Sequence, residues 1–166
     1  KIQLVILGSG VPRYERQLLA QADRYPGRVV MLQGFNDPLA RRIYAGSDLF
    51  LMPSRYEPCG LGQLIALRYG SVPLVHSTGG LADTIIDPRE DLERANGFRF
   101  NEYSGAGLLE GLDRTLSTYS ARQDWEKLVK HGMRQDFSWQ RVVHRYSSVY
   151  DQAFETRAES LSARTN

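Results

Sequence analysis

The stretch "PSRYEPCGLGQ" (53–63) places a carboxylate, Glu57, just before Pro58, Cys59, Gly60, Leu61 and Gly62. Glu57 is the only acid between Asp48 and Asp83, and it stands where an apolar run breaks into a turn ahead of a glycine-opened helix. A carboxylate there can hold sugar hydroxyls or face positive charge developing at a reacting carbon. A solvated loop acid, or a helper at a helix N-terminus, accounts for it equally well. A second stretch, "STGGLADT" (77–84), sets Thr78, Gly79 and Gly80 at the start of another helix. Glycine lets a backbone approach a ligand closely, and a helix start offers N–H groups and partial positive charge, so this is a candidate phosphate loop. The competing reading is a plain βα turn that needs glycine for its backbone angles. Gly60 and Leu61 repeat the helix-start geometry, but a phosphate beside Glu57 would be repelled.

Other candidates are weaker. "GSG" at 8–10 begins like a dinucleotide fingerprint, yet Arg13 occupies the third glycine position, so a tight turn is the stronger reading. Phe35, after Gly34, offers a ring either to a nucleobase or to the core. His76 reads as a structural histidine, and His131 and His144 lie in no partner pattern. Cys59 has no histidine near it in sequence and reads as a small lining group rather than a nucleophile. No G-x-S-x-G elbow, H-E-x-x-H pair or P-loop occurs, which leaves acyl hydrolysis, zinc proteolysis and Walker-type hydrolysis without support.

These residues need a frame. Residues 2–8, 28–34, 48–54 and 71–77 are nearly continuous apolar runs, the pattern of strands buried on both faces, and "GFRF" (97–100) is a weaker fifth. Helices are predicted between them: 14–24 through Leu18, Leu19 and Ala22; 37–45 with Asp37 as cap ahead of Pro38; one carrying Leu61, Leu64, Ile65 and Arg68 and stopped by Gly70; and a short one over 81–86. Strand and helix alternating at this spacing predict βαβ units and an open, doubly wound α/β fold, Rossmann-like, with a parallel sheet. Ligands of such sheets bind at the carboxyl ends of the strands, where all of the loops above would gather. From Gly105 onward the pattern is all helical: Leu108, Leu109, Leu112 and Leu116, then Trp125, Leu128 and Val129. A last helix is capped by Ser138, with Val142, Val143, Tyr146, Val149, Tyr150 and Phe154 on its apolar side. One domain over 1–158 and a frayed polar tail over 159–166 are expected.

Composition narrows the classes. The 21 basic and 19 acidic residues are well mixed and give a net charge of +2, so no basic tract marks a nucleic-acid surface. The single cysteine precludes an internal disulfide and a cysteine-based zinc site. No apolar run approaches the length of a membrane span. The start inside an apolar run, without a methionine, is expected of a piece of a longer protein.

Taken together, "PSRYEPCGLGQL", "YGSVPLV" and "TGGLADT", in that order and spacing, with "DFSW" before the last helix, resemble the C-terminal nucleotide-binding domain of bacterial glycogen synthases and of plant or cyanobacterial starch synthases. The resemblance spans about residues 2–154. It implies the second Rossmann-like half of a GT-B fold and transfer of glucose from ADP-glucose to the non-reducing end of an α-1,4-glucan. It further implies retention at the anomeric carbon, no metal and no cofactor beyond the ADP-glucose donor. Residue by residue it implies Glu57 near the donor glucose, Thr78, Gly79, Gly80, Gly60 and Leu61 around diphosphate and sugar, Phe35 on adenine, and Cys59 lining the site. The implied partners are ADP-glucose or ADP, and a glucan acceptor held by a preceding domain. The implied compartment is the bacterial cytoplasm or the plastid stroma. The basic residues that neutralise the diphosphate in that family lie upstream of this chain, which by itself is expected to be inactive. Ile65 replaces the second glutamate of many retaining relatives, and Gly62 stands where synthases commonly have Thr or Asn. The rivals are a UDP-glucose enzyme resembling sucrose synthase, a non-catalytic nucleotide-binding module and, distantly, an NAD oxidoreductase.

Overall fold

The computed structural model describes residues 2–162. Its elements run β1 (Leu4–Gly8), α1 (Pro12–Arg24), β2 (Val29–Gln33), α2 (Asp37–Gly46), β3 (Leu49–Met52), α3 (Gly62–Tyr69), β4 (Val72–His76), α4 (Gly79–Thr84), β5 (Phe98–Phe100), α5 (Gly105–Ser120), α6 (Arg122–Arg134) and α7 (Trp139–Ser162). The chain divides between Met133 and Arg134 into two compact units. Every strand pairing is parallel, as the alternation of strand and helix predicts.

The strands form two sheets, not one: β1 pairs with β2, and β3-β4-β5 form a second sheet. This changes what the strands bury. All five residues of β4, the central strand of the larger sheet, are buried. In the two-stranded sheet Leu4, Val5 and Val30 are 40–45% exposed, and neither α1 nor α2 contributes a buried residue beside them. Burial on both faces, expected for all four strong strands, therefore holds for β4 alone. The buried core lies downstream of residue 48. One cluster joins Val72, Leu74, Ala95, Phe98, Phe100, Trp125 and Leu128, and another joins Leu67, Val75, Leu81 and Ile85.

Local chemistry explains the helix ends. Asn36, not Asp37, caps α2: its side chain accepts the Leu39 N–H at 3.0 Å, leaving Asp37 and Pro38 in the first turn. Gly70 ends α3 in the left-handed region at φ 81°, as a glycine stop should. The buried face of α3 carries Gln63, Ala66 and Leu67, whereas Leu61 is 71% and Ile65 39% exposed. The apolar face read from the sequence is thus rotated, because Leu67 seats against Gly132, where a β-carbon would crowd it. In α5, Leu108, Gly111, Leu112 and Thr115 turn inward and Leu109 is exposed.

One charged group ties the loop after α4 to β5 and α5. Asp87, only 1% exposed, accepts the backbone N–H of Arg99 at 2.8 Å and of Arg89 at 3.0 Å, and it pairs with Arg114 at 3.1 Å. Burial pushes its carboxyl up, but the two backbone N–H groups and the Arg114 guanidinium outweigh this and hold it below the usual carboxylate range. Arg99 also donates to the Ala82 carbonyl of α4 at 2.6 Å and pairs with Glu90.

In the second unit, α7 extends to Ser162. It therefore includes the start of the segment expected to fray from 159; residues 163–166 lie outside the described residues. Val143, Tyr146, Val149, Tyr150 and Phe154 are exposed on this helix, and Trp139 packs on Tyr146 with ring centres 5.6 Å apart.

Candidate functional site at the strand ends

The register Met52↔Val75 and His76↔Phe100 brings the carboxyl ends of β3, β4 and β5 to one edge. There the 53–60 loop and the 77–80 turn meet in direct backbone contact. The Gly80 N–H donates to the carbonyls of Glu57 at 3.0 Å and Pro58 at 3.2 Å. A β-carbon at Gly79 would overlap the Glu57 carbonyl, and one at Gly80 would overlap Cys59. Both glycines are thus required by loop packing, whatever lies above them. The Gly80 amide, read from sequence as a phosphate donor, already serves the Glu57 loop. At Gly79, φ +44° adds a second reason for glycine.

His76 secures the same loop from below. It is 8% exposed, its Nδ1 lies 2.9 Å from the Ser54 carbonyl, and its ring leans on Phe100 and Tyr103. The structural reading of His76 matches this geometry.

Above this base the side chains differ in availability. Glu57 is half-buried, and its carboxylate has no hydrogen-bond or ionic partner among the described residues. Cys59 is an exposed free thiol. Leu61 occupies the position before α3 and is 71% exposed. Thr78 stands at the start of α4 in extended conformation, and its hydroxyl makes no cap hydrogen bond. At Gly62, a β-carbon would lie 3.2 Å from the Phe50 ring and 3.5 Å from the Tyr44 hydroxyl. A side chain at that position would press on the tilted Tyr44–Phe50 pair, whose ring centres are 5.1 Å apart.

Phe35 belongs to the other sheet, after β2, and no hydrogen bond joins its loop to the Glu57 cluster among the described residues. It is 93% exposed, so it does not plug the core; its face is open for stacking. The "GSG" turn carries its own anion: Gly10 N–H donates to Glu15 at 2.7 Å, and Gln33 Nε2 donates to the other carboxylate oxygen at 3.0 Å. A carboxylate already stands where a dinucleotide phosphate would be held, and the tight-turn reading is the one this geometry favours. No group of three or more His, Cys, Asp or Glu able to hold a metal occurs among the described residues. No helix among them is long and apolar enough to cross a membrane.

Two residues of the site were not anticipated from sequence, Gln63 and Thr84. Gln63 is fully buried and donates through Nε2 to the carbonyls of Cys59 at 3.0 Å and Gly60 at 3.2 Å. It also reaches Thr84 Oγ1 at 3.3 Å, which in turn donates to the Gly80 carbonyl at 2.6 Å. The only advance signal was a glutamine within the first turn of a predicted helix, a position that ordinarily faces solvent.

Comparison with known proteins places this arrangement. A glycogen synthase from Syntrophotalea carbinolica is 53% identical over 154 residues, covering 93% of this chain and 32% of that protein. The chain therefore spans about a third of the length of the curated relatives it matches. Among solved structures, the catalytic domain of starch synthase IV from Arabidopsis thaliana, bound to ADP and acarbose, superposes with a TM-score of 0.81 at 36% identity, covering 90% of this chain and 32% of that one. Sucrose-phosphate synthase from Thermosynechococcus elongatus shares the fold, with a TM-score of 0.63 at 22% identity over 93% of this chain and 39% of that one. The family description "Glycosyl transferases group 1" matches residues 1–131, which include every strand and both loops of the strand-end cluster, and the chain belongs to that family.

Proposed function

We propose that this chain is the donor-binding part of a glycogen or starch synthase, which transfers glucose from ADP-glucose to the non-reducing end of an α-1,4-glucan with retention. The observation that carries this reading is the single surface made by the 57–60 loop and the 78–80 turn, on which the Glu57 carboxylate stands without a partner among the described residues. In the transfer, the bond from glucose C1 to the diphosphate oxygen breaks, a bond from C1 to the terminal glucan hydroxyl oxygen forms, and ADP and a proton are released. Positive charge develops at C1 and negative charge on the leaving diphosphate. Glu57 faces the first, and the Gly60 and Leu61 amides at the start of α3 face the second. Thr78 and Gly79 border the diphosphate and sugar, with Gly80 fixing their turn to the Glu57 loop. Cys59 lines the site, Phe35 stacks on adenine, and no metal or further cofactor takes part.

The adenine preference is supported by the starch synthase IV structure, solved with ADP at 36% identity. The glucan acceptor is assigned to the larger part of the relatives' length that this chain does not span. Bacterial relatives named glycogen synthase support a bacterial cytoplasmic setting, with the plastid stroma as the counterpart for a starch synthase. The test is calorimetric titration of the full-length protein with ADP, UDP and NAD, beside a glucosyl-transfer assay from ADP-glucose on the parent and Glu57→Gln. Expected are selective ADP binding and a variant that keeps ADP affinity while kcat falls about 10²–10³-fold, the cost of removing one preorganised electrostatic group. Selective UDP or NAD binding overturns the donor assignment. Nucleotide binding without any glucosyl transfer supports a non-catalytic binding module instead.

A further inference from the structure

Gln63 is the node of a closed hydrogen-bond circuit, and we propose that it is a positioning residue that sets the Glu57 loop against the glycine turn of α4 as one body. The circuit starts at Gln63 Nε2, which donates to the Cys59 and Gly60 carbonyls at 3.0 and 3.2 Å. It continues from Nε2 to Thr84 Oγ1 at 3.3 Å and from that hydroxyl to the Gly80 carbonyl at 2.6 Å. It closes through the Gly80 N–H onto the Glu57 and Pro58 carbonyls at 3.0 and 3.2 Å. Two carbonyl acceptors and a hydroxyl already donating to a third fix the amide orientation: Nε2 must face them, because Oε1 in its place would confront lone pairs.

That orientation leaves a cost in place. Gln63 is fully buried, and its Oε1 has no hydrogen-bond partner among the described residues. A leucine would fill the same volume without an orphaned acceptor but would strip the Cys59 and Gly60 carbonyls of this donor, so the amide serves the loop at the expense of its own oxygen. The glycines fit the same account. Gly60, at φ +73°, sits directly over the Gln63 amide, where a β-carbon would overlap it. The amide therefore holds up the backbone of the loop that carries Glu57, two residues from the Cys59 carbonyl it binds. Through Thr84 it fixes the α4 end of the turn bearing Thr78 and Gly79. Neither loop can shift without breaking a bond at Gln63 or at its hydroxyl relay.

That this setting serves transfer rests on the donor-binding reading above. If it does, loosening the circuit harms alignment in the transition state more than it harms ground-state binding. The experiment measures amide hydrogen exchange and steady-state kinetics of the full-length protein for Gln63→Leu, Thr84→Val, Thr84→Ser and the Gln63→Leu/Thr84→Val pair. Expected is a tenfold or greater acceleration of Gly80 amide exchange in Gln63→Leu and Thr84→Val, with β4 amides within twofold of the parent. The double variant should be no worse than the worse single, and Thr84→Ser, which keeps the hydroxyl, should behave as the parent. In kinetics, kcat should fall at least tenfold while KM for the nucleotide sugar stays within threefold. Unchanged Gly80 exchange, additive effects of the two substitutions, or a rise in KM at constant kcat overturns the proposal. If Gln63→Leu fails to fold, Thr84→Val and Thr84→Ser decide the matter. The exchange arm requires no nucleotide. A protein that couples its loops as described yet transfers no sugar would refute the donor reading and leave the interlock standing.

Discussion

Replacing Asp87 by asparagine tests the framework that holds α4 in place. The carboxylate is 1% exposed and gathers backbone N–H groups of Arg99 and Arg89 and the guanidinium of Arg114, at 2.8, 3.0 and 3.1 Å. Asparagine keeps one acceptor oxygen but presents an NH₂ group to donors, and it leaves Arg114, which is 23% exposed, with only the half-exposed Glu110 at 2.7 Å as counter-charge among the described residues. Removing one member of a buried pair costs about 3–5 kcal/mol. At about 3 °C per kcal/mol for a chain of this size, Tm should fall by about 10–15 °C. The pH dependence supplies a second check. The folded carboxyl titrates below its ordinary value, so its contribution is fully present above the unfolded value of about 3.9 and is lost as pH falls through the folded value. Urea midpoints compared between pH 7 and pH 3 should therefore show an acid decrement in the parent that is smaller in Asp87→Asn. A loss below about 1 kcal/mol at pH 7, or an acid decrement of equal size in the two proteins, would refute the account of Asp87 as the charged tie between the loop after α4, β5 and α5.

Two further outcomes are expected. Phe35→Ala should weaken ADP binding by about 1–3 kcal/mol, the scale of one base stacked on one aromatic ring, while Tm stays within about 1 °C, because a side chain 93% exposed stabilises nothing; calorimetric titration beside a thermal scan checks both. Gly79→Ala combines a φ of +44° with overlap on the Glu57 carbonyl, so it should cost about 2 kcal/mol or more. It should also abolish nucleotide-sugar binding, read by denaturant titration and by calorimetry.

The α/β class was legible because strand and helix signals are local: apolar runs, an Asx–Pro start ahead of α2, glycine after α3. The Glu57 and Gly79–Gly80 loops were legible for a similar reason, since their unusual residues fall at strand ends. What was not legible is what depends on pairing between distant segments. Nothing within "IQLVILG" reveals how little covers the faces of β1, so its exposure was invisible. The rotation of α3 follows from Leu67 seating on Gly132, 65 positions away. Gln63 reads as a surface residue because the carbonyls that require it belong to a loop whose fold the sequence does not spell out. Glycines 79 and 80 were legible as necessary, but their requirement is the packing of one loop on another. Asp87 escaped notice because the groups that surround it come from the loop beside it, from β5 and from α5.

The division of the strands into two sheets has a consequence for how the molecule opens. Both buried clusters are drawn from residues downstream of 48, and neither β1, α1, β2 nor α2 contributes a fully buried residue. Opening β1-α1-β2 therefore uncovers partly buried but no fully buried residues and, among the described residues, breaks no strand pairing outside its own two-stranded ladder. Free energy of opening scales with such losses, so a graded stability is expected, with the N-terminal βαβ layer opening before the downstream sheet. Phe35 stands at the end of the N-terminal layer and Glu57 on the downstream sheet, so a donor held by both, as proposed above, would act as the brace between parts of the protein with different lifetimes.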